Sequence, residues 1–200
     1  MPEYITSTGV PDADVVMITY TGSDSNGSWV ARAGACWTDD THFGNPMVGS
    51  VEINLAVWDF NDPYENQHGV MIHEVYHALG MSGSTYLMAD WVSDEQGTKR
   101  GQENISREYT NSMGVDVFRI ITPKVAEKAQ EIYGCNTLDG VDMENQGGSG
   151  TLGSHWEKRI ISDDFMTGHI GWHDPTYSAI TLAFMEDSGW YKAVWERAIV

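Results

Sequence analysis

Apolar runs in the first part of the chain predict a sheet. Residues 14–20 (DVVMITY) are β-rich and end at Thr21-Gly22, so they predict a strand that is buried on both faces. Residues 29–38 predict a second strand, and the alternation within residues 46–57 predicts a third. An edge strand can bind an extended peptide by strand addition. Residues 46–57 are the candidate for that role, with an ordinary sheet strand as the alternative.

A helical pattern follows these strands. Asn61-Asp62-Pro63 predicts a helix start, with Asp62 as the N-cap and Pro63 at the first helical position. The helix then runs to about Leu79. Apolar side chains surround most of its circumference, which is typical of a helix buried in a core. These side chains are Val70, Met71, Ile72, Val75, Ala78 and Leu79.

In the second half of the chain, some stretches have a clear secondary-structure pattern and others have a weak one. Residues 83–109 are polar and predict a surface excursion with little regular structure. Residues 115–121 (VDVFRII) predict a short strand, and Thr122 is the expected N-cap of a helix that runs through Tyr133. Residues 177–188 predict a last helix. Strands and helices in this order indicate an α+β fold.

Length and charge narrow the possible functions. Two hundred residues suit one domain, or two lobes around a cleft. The net charge of −18 argues against nucleic-acid binding, which needs a basic surface. Acidic side chains could bind calcium, but none follow an EF-hand spacing, so calcium stays open. No apolar run approaches the roughly 20 residues of a transmembrane segment.

The chain's ends and its cysteines add two further expectations. No signal peptide opens the chain, and we expect it to be a catalytic portion excised from a longer protein. Cys36 and Cys135 could form one disulfide or remain two free thiols.

The strongest candidate for chemistry is the stretch GVMIHEVYHALGMS at residues 69–82. His73 and His77 are four residues apart, so on a helix they share one face and can converge on a zinc ion at about 2.0–2.1 Å. Glu74 projects at a different angle and can reach a water activated by that metal. Gly80 can end the helix in a left-handed conformation. The alternative is a core helix whose histidines are satisfied by neighbours.

A catalytic zinc usually has three protein ligands and one open position. A third histidine placed three residues after the helix-ending glycine is one known pattern, but Gly83 occupies that position here. Spacing alone does not choose among the remaining candidates. They are several carboxylates and the histidines His155, His169, His173, His42 and His68.

Two motifs together resemble the leishmanolysin family of metzincin peptidases. They are HEVYHALGM and, after a long insertion, GSHWEKRIISDDFMTG, and the similarity extends from about Val10 to Tyr191. The resemblance implies that three histidines bind one catalytic zinc, with one glutamate as the general base and one methionine beneath the metal in a methionine turn. The implied residues are His73, His77 and His155 for zinc, Glu74 for the base and Met166 for the turn.

The same resemblance implies an architecture and a function. The expected fold is a zincin-like or metzincin-like α+β catalytic domain with a mixed sheet, an active-site helix and a C-terminal helical subdomain flanking a cleft. Residues 1–80 would form the N-terminal subdomain, residues 81–154 an inserted segment and residues 155–200 the C-terminal subdomain. The implied protein is an extracellular or cell-surface zinc endopeptidase acting on proteins or peptides, and we expect a monomer. The alternatives are a zinc-bearing adhesion or binding module that does not cleave, and a structural domain without metal.

Overall fold

The computed structural model describes residues 7, 9–82, 88–148, 150–168 and 176–198. Within these ranges the chain forms six strands and three α-helices, which confirms the α+β class. In chain order they are β1 (Val16–Gly22), β2 (Ala31–Asp39), β3 (Asn45–Asn54), α1 (Tyr64–Ala78), β4 (Ser106–Thr110), β5 (Asp116–Ile120), α2 (Pro123–Tyr133), β6 (Val141–Asp142) and α3 (Ala179–Asp187).

The first sheet is mixed and has β3 at its centre. Strand β3 pairs in parallel with β1 and antiparallel with β2, so all three predicted strands are confirmed. The edge role expected for residues 46–57 is wrong, because β3 has a partner on both sides. The burial expected for residues 14–20 is also wrong, because the residues of β1, an outer strand of this sheet, are partly or fully exposed.

Helix α1 packs closely against this sheet near its C-terminal end. A Cβ atom added to Gly49 of β3 would lie 2.7 Å from Cβ of Ala78, so the absence of a side chain lets the end of the helix touch the strand. The helix begins one residue later than expected, with Pro63 rather than Asp62 at the N-cap position. Its buried face carries His73, Glu74 and His77.

The second sheet is antiparallel, in the order β4-β5-β6. Strand β5 confirms the strand expected at residues 115–121. Residues 83–87 lie outside the described part of the chain, but the remainder of the expected surface excursion contains strand β4 and four buried apolar side chains, so the expectation is wrong there. These side chains are Met88, Trp91, Val92 and Ile105. Only Ile105 lies between polar neighbours in the sequence, whereas Met88, Trp91 and Val92 belong to a short apolar stretch that the expectation overlooked.

Helix α2 forms where it was expected, but a different side chain caps it. Thr122 occupies the N-cap position without a capping hydrogen bond from its side chain. Instead Oδ2 of Asp187, at the end of α3, accepts hydrogen bonds from the backbone N–H groups of Lys124 at 2.9 Å and Val125 at 3.1 Å. The Arg100 guanidinium also lies 3.3 Å from Oδ1 of Asp187. One carboxylate therefore joins α2, α3 and the segment before β4.

The main core joins residues from the whole second half of the chain. Its members include Met81, Trp91, Ile120, Met143, Trp156, Met166 and Phe184, all of them fully buried. Cys36 and Cys135 are free and do not form a disulfide. Among the described residues, no helix combines the length and apolar character needed to cross a membrane. The three-segment division at residues 80 and 154 stays a prediction.

Candidate metal centre

Helix α1 brings His73 and His77 together through regular helical geometry. Both imidazoles are buried, and their Nε2 atoms are 3.0 Å apart. The helix ends at a turn in which Gly80 has φ of +113°. A side chain at that glycine would press on the Trp190 ring, and the hydroxyl of Tyr191 donates to the Leu79 carbonyl at 2.8 Å. The turn that follows the two histidines is thus held from the far end of the chain.

His155 reaches the same point from a segment without regular secondary structure. Its Nε2 atom lies 3.0 Å from Nε2 of His73 and 3.1 Å from Nε2 of His77. Gly147 and Gly153 adopt positive φ angles, so the glycine-rich stretch before His155 turns the chain there. The structure therefore brings together the three histidines that the resemblance selected, although they are up to 82 residues apart.

The other histidine candidates do not join this group within the described part of the chain. His68 lies on the exposed side of α1, where its ring stacks on Tyr64 with the centroids 5.3 Å apart. The side chain of His42 and all of His169 and His173 fall outside the described residues.

Hydrogen bonds to backbone carbonyls set the tautomer of all three imidazoles. Nδ1 of His73 is 2.6 Å from the Phe165 carbonyl, Nδ1 of His77 is 2.6 Å from the Met81 carbonyl, and Nδ1 of His155 is 3.1 Å from that of Thr151. A carbonyl oxygen can only accept, so each Nδ1 must carry the hydrogen. The neutral ring then has its lone pair on Nε2.

Three lone pairs converging at 3.0–3.1 Å without a donor between them repel one another, and a cation bound among them removes that repulsion. The spacing is compatible with three zinc–nitrogen distances of about 2.0–2.1 Å, and imidazole nitrogen is a ligand that zinc prefers. Burial is the main cause that lowers the pKa of His73, to about 4, and the nearby His155 lowers it further. Burial also lowers the pKa of His77 and of His155. The residues present therefore fit a zinc ion near neutral pH.

Glu74 is buried beside this group, and no donor among the described residues contacts its carboxylate. Burial raises the pKa of Glu74 to about 7, because the charged form has lost water without gaining a partner. A general base works best when its pKa is near the working pH.

The segment containing Met166 packs directly behind His155. Met166 is fully buried, and its carbonyl accepts a hydrogen bond from the Trp156 backbone N–H at 3.0 Å. Its own N–H donates to Oδ1 of Asp164 at 2.7 Å. Its role beneath a metal stays a prediction.

Sequence reasoning missed the groups that orient the imidazoles. All three are main-chain carbonyls, and every residue has one, so no residue type could have indicated them. Asp164, the buried carboxylate of this turn, was also missed, although its position two residues before the methionine was visible.

The chain is similar to known metallopeptidases along nearly its whole length. The family model described as leishmanolysin matches residues 1–200. The leishmanolysin-like peptidase of Caenorhabditis elegans is 33% identical over 223 residues, which cover 95% of this chain and 33% of that protein. Leishmanolysin of Leishmania donovani is 34% identical over 201 residues, covering 98% of this chain and 30% of that protein. The ciliated left-right organizer metallopeptidase of Xenopus laevis is 34% identical over 197 residues, covering 92% and 26%. The chain spans about a third of the length of these relatives or less.

Proposed function

This chain belongs to the leishmanolysin family of metallopeptidases, and on that premise we propose that it is a zinc-dependent endopeptidase. One observation carries the proposal. Three neutral imidazoles direct their Nε2 lone pairs to one point, with Glu74 buried next to them and lacking a donor among the described residues.

His73, His77 and His155 hold the metal in this proposal, and their fixed tautomers keep the lone pairs available. A bound zinc ion supplies a water whose pKa is lowered toward ~7 and polarises the carbonyl that is attacked. Three neutral ligands leave the full positive charge of the ion in place, which favours both effects.

Glu74 moves the proton. Its carboxylate takes a proton from the attacking water as the water adds to the scissile carbonyl, and it then gives that proton to the leaving amine. A carboxylate already engaged by strong donors would be a poorer base. The lack of a donor at Glu74 among the described residues supports this role.

The wider assignment follows from the family. We propose a metzincin-like arrangement in which a C-terminal subdomain flanks the cleft and Met166 forms the methionine turn. Protein or peptide substrates fit a peptidase family, and we propose that the chain acts outside the cell or at its surface as a monomer. Among the described strands, both β1 and β2 lack a partner on their outer side. Because β2 is the one of the two that packs against helix α1, it replaces β3 as the candidate strand for binding an extended peptide.

Metal quantification and peptide cleavage on the same preparation test this function. We expect one zinc ion per chain after dialysis, and cleavage of casein or of a peptide library that 1,10-phenanthroline abolishes. Glu74→Gln should keep the zinc and lose about 10²–10⁴-fold in kcat/KM, the usual contribution of a general base. Glu65→Gln changes an exposed glutamate of the same helix and should leave both unchanged.

Normal turnover by Glu74→Gln would contradict the assignment of the base. A wild-type chain that retains zinc but cleaves nothing would instead be the adhesion or binding module considered from the sequence. A chain without zinc would be neither.

A further inference from the structure

Asp164 is a buried carboxylate that the proposed reaction does not use. Its side chain is almost fully enclosed, and both oxygens accept hydrogen bonds. Oδ1 accepts from the Met166 backbone N–H at 2.7 Å, and Oδ2 accepts from Oγ1 of Thr181 at 2.8 Å and from the Ser178 backbone N–H at 3.3 Å. Two connections lead from this network to the metal centre.

One connection runs from Asp164 to His73 through a single peptide group. The Phe165 carbonyl and the Met166 N–H belong to the same planar peptide, which rotates as one unit. The carbonyl end accepts from Nδ1 of His73 at 2.6 Å, and the N–H end donates to Oδ1 of Asp164 at 2.7 Å. Asp164 and His73 therefore hold opposite sides of one rigid plane. Any tilt of this plane changes the direction in which the His73 ring points.

A second connection runs from Asp164 to the segment that carries His155. Oγ1 of Thr181 donates to Asp164 and accepts a hydrogen bond from Nε1 of Trp156 at 2.8 Å. Trp156 directly follows His155 and is fully buried. Its indole is thus fixed from the same carboxylate that fixes the peptide behind His73.

We propose that Asp164 is a positioning residue of the metal centre, which sets His73 through the Phe165–Met166 peptide and His155 through Thr181 and Trp156. This inference rests on the proposed function, because it assumes that the three histidines hold a metal. Groups that orient metal ligands typically contribute 10–100-fold to metal affinity. Here the carboxylate acts through intervening groups, so we expect the lower half of that range.

Asp187 provides a matched control. It is an equally buried carboxylate that also accepts two backbone N–H groups, from Lys124 and Val125. Among the described residues, no group that its side chain contacts lies on a segment that carries one of the three histidines. A purely structural role for Asp164 predicts that the two aspartates behave alike, and a positioning role predicts that they differ.

The test compares Asp164→Asn and Asp187→Asn in the full chain. Zinc affinity is measured by competition with a chelator, coordination geometry by the visible spectrum of the Co²⁺ form, and stability by the Tm of the metal-free protein. Both variants should lower Tm. Asp164→Asn should weaken zinc binding by about 10–30-fold and alter the Co²⁺ spectrum, and Asp187→Asn should leave affinity and spectrum as in the wild type.

A second pair isolates the branch through Trp156 and covers the case in which Asp164→Asn does not fold. Thr181→Val removes the hydroxyl with little change in shape, and Thr181→Ser keeps it. We expect Thr181→Val to perturb the Co²⁺ spectrum and Thr181→Ser to restore it. Equal zinc affinities and spectra in the Asp164 and Asp187 variants, or in the two Thr181 variants, would overturn the inference while leaving the proposed function intact. Failure of the wild-type chain to bind zinc would overturn both.

Discussion

The metal centre is assembled from two regions that hold their ligands by different means. Helix α1 carries His73 and His77, whose relative position follows from the 3.6-residue period of the helix. His155 lies in a segment without helix or extended strand, which is fixed by isolated bridges of Trp156 with Met143 and with Thr167. The backbone of the first region is held by hydrogen bonds within the helix, whereas the backbone of the second is also held by Met143, Met166 and Thr167, which are 10–13 residues from Trp156.

This difference indicates how the centre should respond to perturbation. A helix held by its own backbone and packed on a sheet opens mainly with the whole fold, whereas a segment held by a few long-range contacts can open by itself. The Trp156 ring packs edge-to-face on Phe184, with centroids 5.5 Å apart, and this buried contact opposes such opening. The backbone that carries His155 therefore depends more on distant contacts than the helix that carries His73 and His77.

The largest expected effect comes from removing one ligand in each region. His77→Ala and His155→Ala should each weaken zinc binding by more than about 100-fold, the upper end of what changes behind the ligands cost. Chelator competition measures both. His68→Ala removes an exposed histidine from the same helix as His77 and should change nothing.

The two ligand variants also test the comparison itself. Zinc that remains with His155→Ala through dialysis would show that the loop does not supply the third ligand. Another group, including a histidine outside the described residues, would then take its place.

A smaller effect concerns Glu74 on helix α1, whose burial lowers the stability of the metal-free protein. Glu74 has a folded-state pKa of about 7 against an ordinary value of 4.5, so the folded metal-free protein disfavours the ionised form. Wild-type stability relative to Glu74→Gln should therefore fall as pH rises from about 4.5 to about 7, and then level off. Between low pH and pH 8 the wild type should lose roughly 3 kcal/mol of stability relative to the variant, or about 6–12 °C in Tm.

Thermal unfolding of the two metal-free proteins at pH 5 and pH 8 measures this difference. The histidines titrate in both proteins, so the difference between them isolates Glu74. A stability difference that is the same at both pH values would show that the Glu74 carboxylate is better solvated than the structure indicates.

The same contrast explains what the sequence could and could not predict. The strands β1 to β3, the strand β5 and the helices α1 and α2 have local patterns, and each was found within a few residues. The pairing of His73 with His77 is equally local. Nothing local connected His155 to them, and spacing left five histidines open until the resemblance selected one.

The failed expectations share a physical cause. For residues 46–57 the sequence leaves an edge strand and an ordinary sheet strand open, and it predicts full burial for β1, because strand order within a sheet leaves no trace in a short apolar pattern. Ile105 falls in the stretch expected at the surface, because its polar neighbours in the sequence give no local sign that it is buried. Helix α2 is capped by the Asp187 side chain and not by that of Thr122. Asp187 is 62–63 residues along the chain from the N–H groups that it accepts, and a local capping motif cannot indicate so distant a partner.

The central claim is that two distant parts of the chain hold one zinc ion between them. The most direct test is a crystal structure of the zinc-loaded chain, with an anomalous difference map recorded at the zinc absorption edge. We expect a single strong peak about 2.0–2.1 Å from Nε2 of His73, His77 and His155. A peak elsewhere, or one bound by His73 and His77 with His155 turned away, would contradict the account.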